Sequence, residues 1–430
     1  MGWNSWDAYG LTIGEADYKA NTEILAGVRQ YGWLYSVIDE GWYMENPFGG
    51  TLLEKKYVWD ANGILIPAAS RFPSAANGQG FKPLADFVHA KGLKFGIHIV
   101  RGIPRQVVKE NLPIAGSNFH AVDASDESSP CGWDEGNWGV KDNAAGQAYY
   151  DSMLKLYAGW GLDYIKVDCI SDHPYRPTEI RQIAEAIRKT GRPIVLSLSP
   201  GPTQLEYVAE IAQYAQMWRI TNDHWDIWSM PRKPGDDEYP FGLREEFDRV
   251  AKWAPYVKPG GWPDADMLPW GWLGPHPGMG EPRPSRLTHD EQQTELVLWA
   301  ISRSPLILGA NLTKLDDSTR SLIGNKEVLE INQKAQRSGP VANLPAGFEN
   351  VRVWKAEIEG SKATVKYFSF SNLDDKPVTV RTTWKALGLE GIHAARNLFD
   401  GTETKKSDSI EVTLPSHGST IYRVGAHKSE

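Results

Sequence analysis

The feature that most constrains the fold is a unit that recurs through the first 335 residues. In each unit, an amphipathic helix ends at a glycine and a short apolar strand follows within a few residues. Phe81, Leu84 and Val88 have helical spacing, and Gly92 separates them from the strand 95–100. Glycine suits the left-handed conformation that ends many helices. Alternating helices and strands predict parallel strands joined by right-handed crossovers.

Eight such strands are predicted, which is the number in a (β/α)8 TIM barrel. They are Gly2–Trp6, Ser36–Glu40, Phe95–Val100, Tyr164–Asp168, Ile194–Ser199, Met217–Thr221, Gly261–Asp266 and Pro305–Ala310. The alternative α/β fold is a doubly wound open sheet, which usually carries a glycine-rich phosphate-binding fingerprint after an early strand. Gly78 and Gly80 follow no strand and lack that spacing, so the barrel is favoured.

Near Gln336 the pattern changes to strands in which apolar and polar residues alternate. Examples are the runs 351–355 and 410–414, and turn-forming pairs such as Asp400-Gly401 separate the runs. This pattern predicts a small antiparallel β-sandwich. We therefore expect a catalytic (β/α)8 barrel at residues 1–335 and a C-terminal β-sandwich domain at residues 336–430. The sandwich has few candidate catalytic groups and is expected to serve packing and stability.

Composition narrows the classes of partner. The net charge of -8 argues against nucleic acid as the main partner. No apolar run is long enough to span a membrane, and no signal peptide is recognised. We therefore expect a soluble protein, and the sequence leaves open a secreted, periplasmic (signal peptide removed) or cytoplasmic location as well as the oligomeric state. The 18 Trp and 17 Tyr suit either sugar binding or core packing.

The chain has two cysteines, Cys131 and Cys169, too few for a disulfide framework or a zinc cluster. A bridge between them would lie beside the strand Tyr164–Asp168. Two separate thiols are the interpretation that the sequence favours.

Polar side chains collect at the carboxyl ends of the predicted strands, where barrel enzymes place their active sites. The set comprises Asp39, Glu40, His98, Lys166, Asp168, Ser199, Arg219, Asp223 and Asp266. Converging buried charges are unfavourable unless they are paired or used in function. Several strands ending in this way therefore indicate a functional site.

Carboxylates with Lys, Arg and Trp suit a polyhydroxylated substrate, because charged groups form strong hydrogen bonds. Glycoside hydrolysis needs one carboxylate as general acid and another as nucleophile or base. Asp168 shares a strand face with Lys166, and a nearby cation lowers a carboxyl pKa, which favours the nucleophile role. Asp223 lies close to Trp225, and an apolar setting raises a carboxyl pKa, which favours the acid/base role.

Other chemistries fit less well. The 10 His include no pair at metal-ligand spacing at a strand end or on a helix, so neither a metal nor a cofactor is expected. The segment 197–201 lacks the nucleophile elbow of serine hydrolases. A carbohydrate-binding protein without catalysis is the alternative outside enzymes. Such proteins usually lose a catalytic carboxylate, and here both are present.

Six ordered motifs make the chain similar to glycoside hydrolase family 27, the α-galactosidase family. They are Met1-Gly-Trp-Asn-Ser-Trp6, Ile38-Asp-Glu-Gly-Trp42, Tyr164-Ile-Lys-Val-Asp168, Trp218-Arg219 with Asp223, Gly260-Gly-Trp-Pro-Asp-Ala-Asp-Met267 and Arg303-Ser-Pro-Leu306. The segments 101–106 and 197–202 resemble a bacterial branch that includes β-L-arabinopyranosidases. The resemblance covers essentially the whole chain.

The resemblance implies a retaining exo-glycosidase that releases terminal α-D-galactopyranosyl residues by double displacement without a metal. It implies that Asp168 is the nucleophile and Asp223 the acid/base. Further residues fall on the family's sugar-binding positions: Trp6, Asp39, Lys166, Arg219 and Asp266.

Three departures from the family bear on the substrate. Family α-galactosidases usually have two aspartates at the second strand, which hold O4 and O6 of galactose, but here the second residue is Glu40. Its extra methylene moves the carboxylate about 1 Å into the space for the exocyclic CH₂OH. β-L-Arabinopyranose lacks that group, so β-L-arabinopyranosidase or dual activity is the alternative. His98 stands where many members have Tyr, and Ser199 where others have Cys or Glu facing the 2-hydroxyl.

Overall fold

The structure, a computed structural model, describes residues 1–233, 238–361 and 363–425. The chain divides into two compact units. The first unit comprises Met1–Asn222, Gly271–Pro284 and Ile307–Leu315. The second unit comprises Asp223–Trp270, Ser285–Leu306 and Asp316–Glu430.

Strands and helices are interspersed through the first 334 residues. The strands of this part are β1 (Gly2–Asn4), β2 (Tyr35–Ile38), β3 (Lys94–Val100), β4 (Ile103–Pro104), β5 (Ser125–Asp126), β6 (Asn137–Val140), β7 (Tyr164–Asp168), β8 (Val195–Leu198), β9 (Met217–Arg219), β10 (Trp262–Asp264), β11 (Trp272–Leu273), β12 (Arg283–Pro284) and β13 (Ile307–Leu308). The α-helices are α1 (Trp6–Tyr9), α2 (Glu15–Gly27), α3 (Lys82–Ala90), α4 (Arg105–Glu110), α5 (Ala121–Ala124), α6 (Ala144–Trp160), α7 (Pro177–Thr190), α8 (Val208–Tyr214), α9 (Leu243–Trp253), α10 (His289–Ser302), α11 (Asp317–Ile323) and α12 (Lys326–Lys334).

The first unit contains a curved parallel sheet with the strand order β9-β8-β7-β3-β2-β1-β13. Every adjacent pair in this order is parallel. Together with β10 of the second unit, these strands are the eight strands of the (β/α)8 barrel. The predicted barrel fold is therefore confirmed, and the open doubly wound sheet is set aside. Each of the eight predicted strands is present, several of them shorter at one end.

The ends of the helices show why the recurring unit folds in this way. Helix α6 ends at Gly161 and α7 at Gly191, both in the left-handed conformation, with φ of 97° and 70°. A side chain at such a φ is strained, so glycine is favoured there. In the sheet, a Cβ on Gly96 would lie 2.9 Å from both Tyr164 and Val37. The missing side chain lets β2, β3 and β7 pack closely.

A small antiparallel sheet, β4-β6-β5, follows β3 in the first unit. Residues 127–136 connect its strands β5 and β6 and are called the β5–β6 loop below. Cys131 of this loop forms a disulfide with Cys169, and their Cα atoms are 5.9 Å apart. The sequence-based preference for two separate thiols is therefore wrong. The fold brings two distant segments within the usual Cα distance of a disulfide, which spacing along the chain does not reveal.

The C-terminal part of the second unit is antiparallel, as predicted. Its strands are β14 (Arg337–Pro340), β15 (Val351–Glu359), β16 (Thr364–Asn372), β17 (Val378–Thr383), β18 (Ala395–Asn397), β19 (Ser409–Leu414) and β20 (Ser419–Val424). They form one sheet of five strands and one of two, with the order β14-β15-β16-β20-β18 and β17-β19. The shared apolar core includes Val353, Phe370, Trp384 and Val412. The sequence analysis missed β14, β18 and β20.

Among the described residues, no helix combines the length and the apolar character that crossing a bilayer requires.

Candidate active site

Asp168 lies at the carboxyl end of β7 and is largely buried. Its Oδ1 accepts a hydrogen bond of 2.7 Å from the Cys169 N–H, and its Oδ2 lies 3.5 Å from His98 Nε2. Burial acts to raise the pKa of Asp168. The hydrogen bond and charge of His98, followed by the charge of Lys166, outweigh burial and lower it. Asp168 is therefore held as a carboxylate, the form that a nucleophile requires.

Asp39 lies just after β2 and is the acceptor of a dense hydrogen-bond cluster. Its Oδ2 lies 2.6 Å from Asn4 Nδ2 and 3.3 Å from Lys166 Nζ, and its Oδ1 accepts the Glu40 N–H at 2.9 Å. Burial acts to raise the pKa of Asp39, but the charges of His98 and Lys166 lower it strongly. Asp39 and Lys166 therefore present a fixed anion and a fixed cation, which suits binding of a sugar hydroxyl.

Glu40, the next residue, has a different environment. Its Oε1 is buried and has no hydrogen-bond partner among the residues that the structure describes. Burial is the largest cause that raises the pKa of Glu40 well above its usual value, and repulsion from Asp134, Asp168 and Asp39 adds to it. The raised pKa favours the neutral carboxylic acid form of Glu40, which can donate a hydrogen bond.

Asp134 belongs to this cluster, although the sequence analysis missed it. It lies in the β5–β6 loop with 1% of its surface exposed, and its Oδ1 accepts the Gly136 N–H at 2.6 Å. Burial raises the pKa of Asp134, the bond from Gly136 opposes this, and the charge of Asp168 raises it further. The strand-end rule did not select Asp134, because its loop joins two short strands outside the barrel. A disulfide from Cys131 to the end of β7 was the one signal in the sequence that could have placed this loop beside Asp168.

Three further predicted residues also lie in the first unit. Ser199 is buried after β8, and its N–H donates to the Val167 carbonyl at 2.9 Å, beside the end of β7. Arg219 is buried at the end of β9. Trp6 begins α1, and its indole packs so closely on Gly278 that a Cβ there would be 2.5 Å from Nε1. Their contacts with a sugar stay predictions.

The two remaining predicted residues, Asp223 and Asp266, lie in the second unit. Asp266 Oδ2 accepts the N–H of His224, the residue after Asp223, at 2.9 Å. Asp266 has a φ of 82°, which is unfavourable for a residue other than glycine, and its carbonyl accepts the Trp299 indole N–H at 3.0 Å. Strained backbone of this kind concentrates at functional sites. Asp266 therefore holds the chain in place directly after Asp223.

His224 provides a second support for this segment, which the sequence analysis also missed. Its ring is buried, with Nε2 3.0 Å from Glu295 Oε1 and Nδ1 3.7 Å from Glu246 Oε1. Glu295 also accepts the Trp270 indole N–H at 2.7 Å. Burial raises the pKa of Glu295, while His224 acts to lower it. The buried cluster restrains the residue next to Asp223.

The structure thus brings Asp39, Glu40, His98, Lys166 and Asp168 together within the first unit. Two models of known protein families match this chain. A family model described as α-galactosidase A matches residues 133–334. A second, described as the α-galactosidase C-terminal β-sandwich domain, matches residues 349–424.

Individual proteins extend this similarity to the whole chain. The crystal structure of a family 27 β-L-arabinopyranosidase from Geobacillus stearothermophilus is 38% identical, with a TM-score of 0.91 over 100% of this chain and 97% of that one. α-Galactosidase A from Cellvibrio japonicus is 26% identical over 99% of this chain and 91% of its own length. α-Galactosidase 3 from Arabidopsis thaliana is 28% identical over 98% of this chain and 80% of its own. With the barrel, the sandwich and the ionised Asp168, these similarities show that the chain belongs to glycoside hydrolase family 27 and is a glycosidase.

Proposed function

We propose that this protein is a retaining exo-glycosidase that releases terminal α-D-galactopyranosyl residues. The observation that carries the proposal is the state of Asp168, a buried carboxylate kept ionised by His98 and Lys166. A largely buried carboxylate that is kept ionised at the carboxyl end of a barrel strand is well suited to attack at an anomeric carbon.

In this mechanism Asp168 attacks the anomeric carbon and forms a covalent glycosyl-enzyme. Asp223, as the general acid, protonates the departing glycosidic oxygen. Asp223 then removes a proton from water, which attacks the same carbon and releases Asp168. The restraints on His224 by Asp266, Glu246 and Glu295 support this role, because a general acid must be held within hydrogen-bond reach of the leaving oxygen.

Sugar binding in the proposal uses the groups around Asp168. Asp39 and Lys166 bind ring hydroxyls as an acceptor and a donor, and Ser199 faces the 2-hydroxyl. Trp6, His98, Arg219 and Asp266 complete the pocket. The same boundary as before, between residues 335 and 336, separates the catalytic barrel from the sandwich in this proposal. The first sandwich strand, Arg337–Pro340, begins just after it.

A second candidate substrate is a terminal β-L-arabinopyranoside, with dual activity as the intermediate case. The observation that favours it is the raised pKa of Glu40, which favours an uncharged side chain. By the resemblance to the family, this longer side chain would occupy the space for the CH₂OH of galactose. The 38% identity to the Geobacillus stearothermophilus β-L-arabinopyranosidase supports the same candidate. One small group such as CH₂OH changes the ratio of kcat/KM between two substrates by only about 10–200-fold, so one pocket can accept both sugars.

The test is a side-by-side assay of p-nitrophenyl α-D-galactopyranoside and p-nitrophenyl β-L-arabinopyranoside. We expect release from at least one of them, and no release from either would contradict the proposal. Asp168→Ala should lose nearly all activity, and azide should restore part of it by replacing the missing nucleophile. Asp142→Ala, which removes an exposed carboxylate of the same unit, is the matched control. Wild-type rates in Asp168→Ala would exclude Asp168 as the nucleophile.

A further inference from the structure

Three buried polar atoms of the first unit, one of them on Glu40, lack hydrogen-bond partners in the described part of the chain. They are Glu40 Oε1, Tyr57 Oη and Asp134 Oδ2. We call these three residues the acidic recess. Buried polar atoms are rarely left unpaired, and such atoms beside a candidate nucleophile indicate that a ligand or water meets them. Asp168 is electrostatically coupled to both carboxyl groups of the recess.

Two side chains of the recess, Tyr57 and Asp134, lie close together. A Cβ placed on Gly136 would lie 2.4 Å from Tyr57 Oη and 2.9 Å from Asp134 Oδ1, so the two side chains converge on one point. The Tyr57 ring packs edge-on against Tyr43, with the ring centroids 4.9 Å apart. Because residue 136 is a glycine, there is space for the Tyr57 hydroxyl and the Asp134 carboxyl group to approach each other.

The loop that carries Asp134 is held firmly against the end of β7. Arg101 is buried, and its guanidinium donates to the carbonyls of Ser129 and Pro130, both at 3.2 Å, and of Cys169 at 2.6 Å. The disulfide from Cys131 to Cys169 joins the same two segments covalently. Asp134 is thus positioned relative to Asp168 by several contacts, which is how side chains that recognise a substrate are usually held.

Burial and nearby negative charges favour the protonated forms of the side chains in the recess. Burial and mutual repulsion raise the pKa of Glu40, burial raises the pKa of Asp134, and burial raises the pKa of Tyr57. The charge of Asp168 acts in the same direction on both carboxyl groups, so ionising both of them beside it is unfavourable. The recess therefore acts as a compact set of hydrogen-bonding groups rather than as a double anion.

We propose that Asp134 is a specificity-determining residue that, with Glu40 and Tyr57, closes the pocket on the side of the sugar ring that bears C5. There galactose carries CH₂OH and β-L-arabinopyranose carries only hydrogen. The inference rests on the proposed function, which sets Glu40 beside this position. Repulsion from Asp134 is the largest influence of a neighbouring charge on Glu40. In this proposal the second carboxyl group beside Glu40 further reduces the room for the CH₂OH group and disfavours the hexose.

The experiment compares kcat/KM for the two p-nitrophenyl glycosides in Asp134→Ser, Asp134→Asn and Glu135→Gln. A serine hydroxyl at position 134 can still accept the Gly136 N–H, as in the turns that Ser and Asp both form. Serine lacks the second carboxyl oxygen and leaves its space empty. Asparagine keeps the size of aspartate. Glu135 is exposed in the same loop and serves as the matched control.

We expect Asp134→Ser to raise the galactoside-to-arabinopyranoside ratio of kcat/KM by about ten-fold, the effect of one small group in a sugar pocket. Asp134→Asn should stay within about three-fold of wild type, since its volume is unchanged. A ratio for Asp134→Ser no different from that of Glu135→Gln would overturn the inference. So would a ratio for Asp134→Asn as high as that for Asp134→Ser. Release of neither glycoside by the wild type would instead reject the proposed function.

Discussion

The ionisation of Asp168 depends on side chains from two neighbouring strands. Lys166 lies two residues earlier on the same face of β7, and this spacing alone predicted its influence. His98 comes from β3, where it is the register partner of Lys166, and it contributes more strongly to the low pKa of Asp168. The hydrogen bond from His98 stabilises the charged form of the carboxyl group directly, and its charge adds to that of Lys166.

Replacing His98 should therefore shift the pH dependence of activity. His98→Phe removes both the hydrogen bond and the charge, and His98→Tyr keeps a donor but removes the charge. Because His98 lowers the pKa of Asp168, its loss raises that pKa, and a larger fraction of Asp168 is protonated at acid pH. We expect the acidic limb of the kcat/KM profile to move to higher pH, more for Phe than for Tyr.

The control for this series is His89→Gln. His89 contacts Asp163 at 2.7 Å, at the opposite end of β7 from Asp168. Asp163 and Asp168 are five residues apart, which is roughly 16 Å at about 3.3 Å per residue, so this change should leave the acidic limb in place. An acidic limb that is the same in His98→Phe and in wild type would contradict the role of His98.

At the scale of elements, the site depends on β7 and on the β5–β6 loop. The strand carries Asp168 to the edge of the barrel, and Cys169 directly after it has a φ of 62°. The disulfide ties this point to the loop that carries Asp134. The link closes a segment whose ends are separated by 38 residues, so it restricts the unfolded chain.

The double variant Cys131→Ser with Cys169→Ser should therefore be less stable. We expect the free energy of unfolding to fall by about 2–4 kcal/mol, measured by urea titration with tryptophan fluorescence. Dithiothreitol should lower the wild-type midpoint towards that of the variant and leave the variant unchanged. Equal midpoints for the oxidised wild type and the variant would show that the bridge adds no stability.

At the scale of the whole molecule, the barrel and the sandwich have different tasks in the proposed function. The sandwich in the second unit has its own apolar core around Trp384, which is fully buried and packs on Phe368 with ring centroids 6.0 Å apart. A core of this kind lets the sheets bury their apolar faces against each other. That the sandwich serves packing and stability stays a prediction.

Trp384→Ala should accordingly reduce stability without changing catalysis. Removing a buried tryptophan side chain costs about 3–5 kcal/mol, and the loss would appear as a lower unfolding temperature in calorimetry. Below that temperature kcat/KM should equal the wild-type value. Ile392→Ala, at a side chain 66% exposed, should change stability by about 0.5 kcal/mol or less. A lower kcat/KM in folded Trp384→Ala would show that the sandwich contributes to catalysis.

The barrel, the sandwich and the residues at the strand ends could be predicted from the amino-acid sequence, because they follow from short-range patterns. The 3.6-residue and two-residue periods of apolar side chains mark helices and strands, and glycines mark where helices end. Parallel strands then bring their carboxyl ends to one edge, so the sequence alone groups Asp39, Lys166 and Asp168.

Which distant groups meet at that edge depends on the tertiary structure. The contact of His98 with Asp168, the bridge from Cys131 to Cys169 and the buried Asp134 depend on strand register and on the path of a long loop. No local pattern encodes these, because contacts between residues 38 or 70 positions apart are selected by packing of the whole fold. Glu40 could be singled out from the sequence, but the acidic recess around it, and the role proposed for Asp134, depend on the folded chain.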